Sequence, residues 1–190
     1  MRKMFKRAYE EIKDSQFLYE EDLIEVVFQK PISKLIIEGE DYGSLVKGKE
    51  IKIPRWAAKI LEEEGYVKIK SEDLLKTSDV IKLAWNEERV ETLCKLPEKF
   101  YPKLRELIKN LNESIKKNPT ATIINEQKQV TMKALDLINC RIQKILRLCF
   151  ERTPSKSIID MLEPEENALF QLLHSEIEEW RNKILTEGVE

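Results

Sequence analysis

Glycine occurs only five times in 190 residues, at Gly39, Gly43, Gly48, Gly65 and Gly188. None falls in G-x-G-x-x-G or G-x-x-x-x-G-K-[ST] spacing, so a loop that cradles phosphate through its backbone amides is not expected. Histidine occurs once, as His174. It stands outside H-E-x-x-H and outside the paired E-x-x-H of di-iron bundles, and no G-x-S-x-G accompanies it, which disfavours a metalloprotease, a carboxylate metal bundle and a Ser-His-Asp hydrolase. Cys94, Cys140 and Cys149 are odd in number, lack C-x-x-C spacing and fall in stretches that read as helix. Small buried thiols suit them better than disulfides or zinc. No apolar run approaches the roughly 20 residues that cross a bilayer, and Ala8-Tyr9-Glu10-Glu11 stands where a signal peptide would carry its apolar region. These features lead us to expect a soluble, intracellular protein with no catalytic, cofactor or metal site.

What is present is charge and aliphatic side chains. Charged residues make up 36% and hydrophobic residues 42%, enough apolar content for a core, and the charge together with the scarce glycine favours helix. The net charge of −2 gives nucleic acid no general attraction. A local basic patch exists at the N-terminus, where Arg2, Lys3, Lys6 and Arg7 precede any acid. The same stretch also reads as an amphipathic helix with Met4, Phe5, Ala8, Tyr9 and Ile12 on one side. A DNA-binding regulatory protein using that segment is therefore the alternative to the function inferred below. Helical carboxylate runs such as Glu62-Glu63-Glu64 read as solvated faces.

Residues 17–72 carry strand signals. Leu23 to Phe28, Ile32 to Ile37 and a turn at residues 38–43 precede Ile51 and Ile53, which alternate with charged neighbours. Pro54 ends that strand and suits the first turn of a helix whose apolar positions are Trp56, Ala57, Ile60 and Leu61. Gly65 is placed for a left-handed cap, after which Tyr66 to Ile69 resume the strand pattern. The sequence thus predicts one small sheet carrying one helix. A unit of about 60 residues buries only about 60% of its extended surface, so it should lean on something else.

Residues 76–187 predict four helices. The first runs from about Asp79 to Lys95 and is broken by Leu96-Pro97. The second carries Phe100, Leu104, Leu107, Ile108, Leu111 and Ile115 on a face about 120° wide. A long loop over 116–128 separates it from a third helix, Val130 to Phe150. The fourth begins near Pro164, with Glu165 and Glu166 complementing the helix dipole, and has a stripe of Leu169, Phe170, Leu173, Ile177, Trp180 and Ile184. The third helix is unusual. Ala134, Leu135, Leu137, Ile138, Ile142, Ile145, Leu146, Leu148 and Cys149 cover about 180° of its circumference, more than one neighbour can hide. It belongs at the centre of a bundle, or at the centre and at a subunit interface.

Arg141 lies inside that arc. A buried guanidinium needs a partner, and Glu87 and Glu91 sit four apart among Val80, Ala84, Val90 and Cys94. Either Arg141 pairs with Glu87 or Glu91, or its head reaches water from a half-buried stem.

The segment LIIEGEDYGSLVKGKEIKIPRWAAKILEEEGYVKI, with FLYEEDLIEVVF before it, resembles the small β domain of GINS replication-factor subunits. KLPEKFYPKLRELI, LINCRIQKILRL and LEPEENALFQLLHSEIEEW are similar to successive helical segments of the same family, so the resemblance covers about residues 17–186. Matching positions are Pro54, Trp56, Leu96, Pro97, Tyr101, Arg141 and Lys144, while the leading residues and the 116–128 loop have no clear counterpart. The expected chain is α+β: an N-terminal helical extension (1–16), read from its own amphipathic spacing, then a small β domain (17–72) and a larger all-α bundle (76–187), as the resemblance implies. The β-first order resembles the archaeal subunit corresponding to the eukaryotic Psf-two and Psf-three pair. It implies a non-catalytic scaffold in the replisome, near the nucleoid, without cofactor. The implied partners are a helix-first sister subunit in a 2:2 heterotetramer, the MCM helicase and a Cdc45/RecJ-like protein. No membrane or small-molecule substrate is implied, and DNA contact is weak or indirect. Interface or structural roles are expected for Pro54, Trp56, Leu61, Phe100, Tyr101, Leu104, Leu137, Ile138, Arg141, Lys144, Ile145, Leu148 and Trp180.

Overall fold

A computed structural model of the chain describes residues 2–70 and 74–186, with side chains from residue 8 onward. The side chains of Arg2, Lys3, Met4, Phe5, Lys6 and Arg7, on which the basic-patch reading depends, lie outside the described residues. The fold is α+β. Among the described residues, the strands occupy residues 23–69 and five of the seven helices follow them. Two compact units are present, residues 16–74 and residues 1–15 with 75–190, and the N-terminal helix α1 (Arg2–Glu20) contributes to both.

In the first unit, strand β1 (Leu23–Phe28) alternates inward and outward and buries Ile24, Val26 and Phe28. It lies between β4 (Glu50–Pro54) and β5 (Val67–Ile69), antiparallel to both, with Ile24 opposite Ile53 and Val26 opposite Ile69. β2 (Ile32–Ile37) and β3 (Glu40–Leu45) form a separate hairpin. The segment expected to be a turn over residues 38–43 is therefore mostly strand, and the expected single sheet is two. Only Glu38 and Gly39 turn, both with positive φ (53° and 89°), as a two-residue hairpin loop matching strand twist requires.

Helix α2 (Arg55–Glu63) packs on this core through Ala57 and Ala58, with Trp56 and Leu61 half-buried against it. Pro54 caps the helix as its N-cap (φ −54°, ψ 140°) instead of opening its first turn. Ile60, expected on the apolar face, is exposed, and Arg55 is buried in its place, its guanidinium over the ring of Tyr19. The other end closes as the glycine predicts. Gly65 adopts φ +70°, its amide donates to Glu62 and that of Tyr66 donates to Leu61, the paired bonds of a Schellman cap.

The second unit contains α3 (Thr77–Arg89), α4 (Phe100–Lys117), α5 (Ala121–Cys149), the short α6 (Lys156–Ile159) and α7 (Pro164–Thr186). Two expectations fail here. α3 stops at Arg89, where Val90 turns extended, so Glu91 and Cys94 lie in an irregular connection that buries Leu93 and Leu96. The long loop over 116–128 is mostly helix. Thr120 caps α5, its Oγ1 accepting from the amide of Ile123, and α5 runs 29 residues from there. Its first turns carry only half-buried apolar side chains, so no strong stripe announces them.

From Val130 to Cys149, α5 lines the core. Val130, Ala134 and Leu137 pack with Val80, Ala84, Leu96, Phe100 and Leu104. Ile145, Leu148 and Cys149 pack with Phe170. Between these two apolar clusters, on the same face of α5, sits Arg141, fully buried.

Candidate functional site

A guanidinium between two apolar clusters must be satisfied on every side. Arg141 has five N–H groups, and each meets an acceptor. Nε and Nη2 donate to the two oxygens of Glu166, at 2.5 and 2.6 Å, in a two-pronged pair from α5 to α7. Nη1 donates to Glu87 Oε2 on α3 at 3.0 Å and to the Cys94 carbonyl at 2.7 Å. The second hydrogen on Nη2 reaches the Met161 carbonyl at 3.2 Å. Lys144, one turn along α5, spends its three hydrogens on Glu87 Oε1 (2.6 Å), the Glu87 carbonyl (2.6 Å) and the Thr92 carbonyl (2.9 Å).

The carboxylates are equally engaged. Glu87 Oε2 also accepts from the Cys94 amide, while Glu166 accepts from the Tyr101 hydroxyl on α4 at 2.5 Å and from the Glu163 amide. Two cations face two carboxylates, so the cluster is neutral. It ties α3, α4, α5 and α7 together and staples the connection after α3. The carbonyls of Thr92 and Cys94 accept from Arg141 and Lys144, bonds that hold this stretch out of the helix.

The electrostatics make this a fastening. Burial pulls against the Arg141 cation, and the Glu166 and Glu87 carboxylates outweigh it, holding the group above arginine's usual value. Burial and the neighbouring Glu166 push the Tyr101 phenol far up, so Tyr101 donates its hydrogen and does not ionise. Burial also raises the Cys149 thiol, and burial with Glu87 raises the Cys94 thiol. With every N–H of Arg141 and Lys144 used, the cluster has no free donor to offer a ligand. No group of three or more His, Cys, Asp or Glu among the described residues could hold a metal.

Of the acids considered for Arg141, Glu87 is in the pair and Glu91 is not. Glu91 is exposed beyond the end of α3, and all five Arg141 hydrogens are taken by other groups. Glu166, read from sequence as complementing the helix dipole, is 5% exposed and is the main partner. Its position in the first turn after Pro164 offered no signal of this role, because Glu165 beside it has the same local setting.

The residues expected at an interface divide. Pro54 is buried, and Trp56 and Leu61 are half-buried against the β core. Phe100, Leu104, Leu137, Ile145 and Leu148 are interior to the helical unit. Tyr101 and Lys144 serve the polar cluster, and Ile138 is half-buried. Trp180 alone of the set is prominently exposed. Other free apolar surface surrounds it or lies outside that set. Met132, Leu135 and Leu146 on the outer edge of the α5 arc, Phe150 at its end, and Trp180, Ile184 and Leu185 on α7 are 38–69% exposed. Arg181 of α7 donates to the Phe150 carbonyl and lies over its ring, bringing the end of α5 against this part of α7. The His174 ring stacks on Phe170 and its Nδ1 meets the Cys149 carbonyl at 3.2 Å. No described helix is long and apolar enough to cross a membrane.

Residues 73–185 match the family model for Sld5, the GINS complex protein helical bundle domain. Among curated proteins, the chain is similar to the human DNA replication complex GINS protein PSF2, 23% identical over 95 residues, which cover 50% of this chain and 51% of that protein. The chain thus spans about half the length of the curated relative it matches.

Proposed function

The chain belongs to the GINS complex protein family of DNA replication, and from that premise we propose that it is a non-catalytic subunit of the β-first, helix-last type, an archaeal counterpart of the Psf-two/Psf-three pair. It assembles with a helix-first sister subunit into a 2:2 heterotetramer. That assembly is a scaffold linking the MCM replicative helicase to a Cdc45/RecJ-like partner during initiation and fork progression.

The observation that supports this reading is the uncovered apolar edge of α5. Leu135 and Leu146 continue the buried arc outward and are exposed, and the second half of α7 adds Trp180, Ile184 and Leu185. Exposed aliphatic and aromatic side chains at such density mark surfaces that bind other proteins. The Arg141 cluster gives the surface its rigidity, since it fixes the register of α5 and α7.

Co-expression with a helix-first sister chain, followed by mass measurement of the purified material, tests the proposal. The expected product is a 2:2 species. A stable monomer that ignores the sister chain overturns it.

A further inference from the structure

The apolar stripe on the outer side of α5 is covered only in its middle. Leu135, Ile138, Ile142 and Leu146 follow at spacings of three, four and four, so they share one side of the helix over about 16 Å, three turns. The end residues, Leu135 and Leu146, are 56% and 38% exposed. Ile138 and Ile142 between them are half-buried, and across an open pocket of about 290 Å³ they face Ala8, Tyr9 and Ile12 of α1.

α1 covers that middle poorly. The side chains at the pocket bury little: Ala8 is small, Ile12 is 38% exposed and Tyr9 65%. On its other flank, Ala8 and Glu11 border a second open pocket, about 650 Å³, against Ala168, Gln171 and Leu172 of α7. Close-packed elements leave few voids larger than a water molecule. Residues 8–15 of α1 are therefore held weakly, with Ser15, which donates to Glu165 at 2.7 Å, as a tie at one end.

We propose that this half of α1 is a displaceable cover, and that the stripe beneath it docks an amphipathic helix of the sister subunit with aliphatic side chains at the same spacing. α1 itself shows that the site accepts a helix. A helix laid along α5 also covers Leu135 and Leu146, which α1 leaves open, and engages all four positions as anchors. The identity of the occupant rests on the reading of the chain as a GINS subunit; the release of α1 does not. Displacing α1 takes up part of the partner's binding free energy, so the cover tunes that affinity.

Native-state hydrogen exchange on the full chain tests the cover. Amides of residues 9–15 should exchange through an opening of their own, at least about 30-fold less protected than those of residues 137–145 in α5. Ala8→Leu, which fills space between the two pockets, should raise their protection about tenfold, and Ile12→Ala should lower it by about the same factor. Protection equal to that of α5 overturns the proposal. So does exchange that neither substitution moves, as for a helix that never docks. The same measurement on the complex with the sister subunit tests the occupant. Residues 9–15 should lose about tenfold or more of their protection on assembly, and Leu135→Glu should weaken association about 30-fold. A complex that leaves α1 as protected as before, or that tolerates Leu135→Glu, overturns the docking and spares the subunit reading. If no complex forms, that reading and the occupant fall together, while exchange on the chain alone still decides the cover.

Discussion

Replacing Arg141 with methionine keeps most of the side-chain volume and removes all five of its hydrogen bonds. The two carboxylates are not left in the same condition. Glu87 retains Lys144 and the Cys94 amide. Glu166 retains only the Tyr101 hydroxyl and the Glu163 amide, neither of them a cation. The loss is therefore concentrated at Glu166, whose charge stays buried without a counter-ion, and breaking a buried pair in this way costs roughly 3–5 kcal/mol. For a chain of this length that lowers Tm by roughly 10 °C. Urea unfolding followed by far-ultraviolet circular dichroism, which reports mainly the helices, should show a lower midpoint with an unchanged slope.

The asymmetry gives a sharper test. Arg141→Met combined with Glu166→Gln should recover part of the loss, because a neutral amide can still accept from Tyr101. In double-mutant cycles, the Arg141–Glu166 coupling should exceed the Arg141–Glu87 coupling by at least about 1 kcal/mol. An Arg141→Met variant within about 1 kcal/mol of the parent, or the opposite order of couplings, would refute the reasoning.

Three further outcomes are expected. Trp180→Glu should leave the stability of the chain within about 0.5 kcal/mol, because the side chain is exposed, yet weaken association with the sister subunit by about 30-fold or more; calorimetry on the two purified chains reads this, and an unchanged affinity places the interface elsewhere. Gly65→Ala should destabilise the β unit by about 1–2 kcal/mol, since φ there is +70°; the added Cβ meets only the flexible end of Lys30 at 3.4 Å, so backbone strain is the cause, and faster hydrogen exchange in β1 and β5 is the readout. Burial holds the Glu163 carboxyl above its ordinary value of 4.5. A raised carboxyl favours the fold below the unfolded value, and that contribution is lost as pH climbs through the folded one. Glu163→Gln should therefore be more stable than the parent at pH 7 and equal to it below pH 4.5, as urea midpoints at the two pH values will show.

Much of the architecture is legible in short stretches. The 3.6-residue spacing of Phe100, Leu104, Leu107, Ile108 and Leu111 marks α4, and the alternation of Ile24, Val26 and Phe28 gives the inner face of β1. Gly65 announces its cap. Less legible are the features where a distant group overrides local pattern. α3 continues by pattern to Lys95, but Arg141 and Lys144 take the carbonyls of Thr92 and Cys94, and the backbone unwinds to present them. A turn is expected over residues 38–43, but its contraction to two residues is hidden because Glu38, not a habitual left-handed residue, shares it with Gly39. The first turns of α5 carry too few apolar side chains for periodicity to find them, and it is the Thr120 cap that starts the helix.

By itself the sequence determined that α5 carries an apolar arc too wide for one neighbour, with an arginine inside it that must be paired. Both follow from helix geometry, which is local and fixed by spacing. Only the tertiary structure decided which of the 35 acidic residues answer Arg141, and which edge of the arc remains uncovered. Pairing and burial depend on distances between segments far apart in the chain. Glu166 lies 25 residues from Arg141 and Glu87 lies 54, and nothing in the local pattern around either carboxylate records that the fold will bring it there.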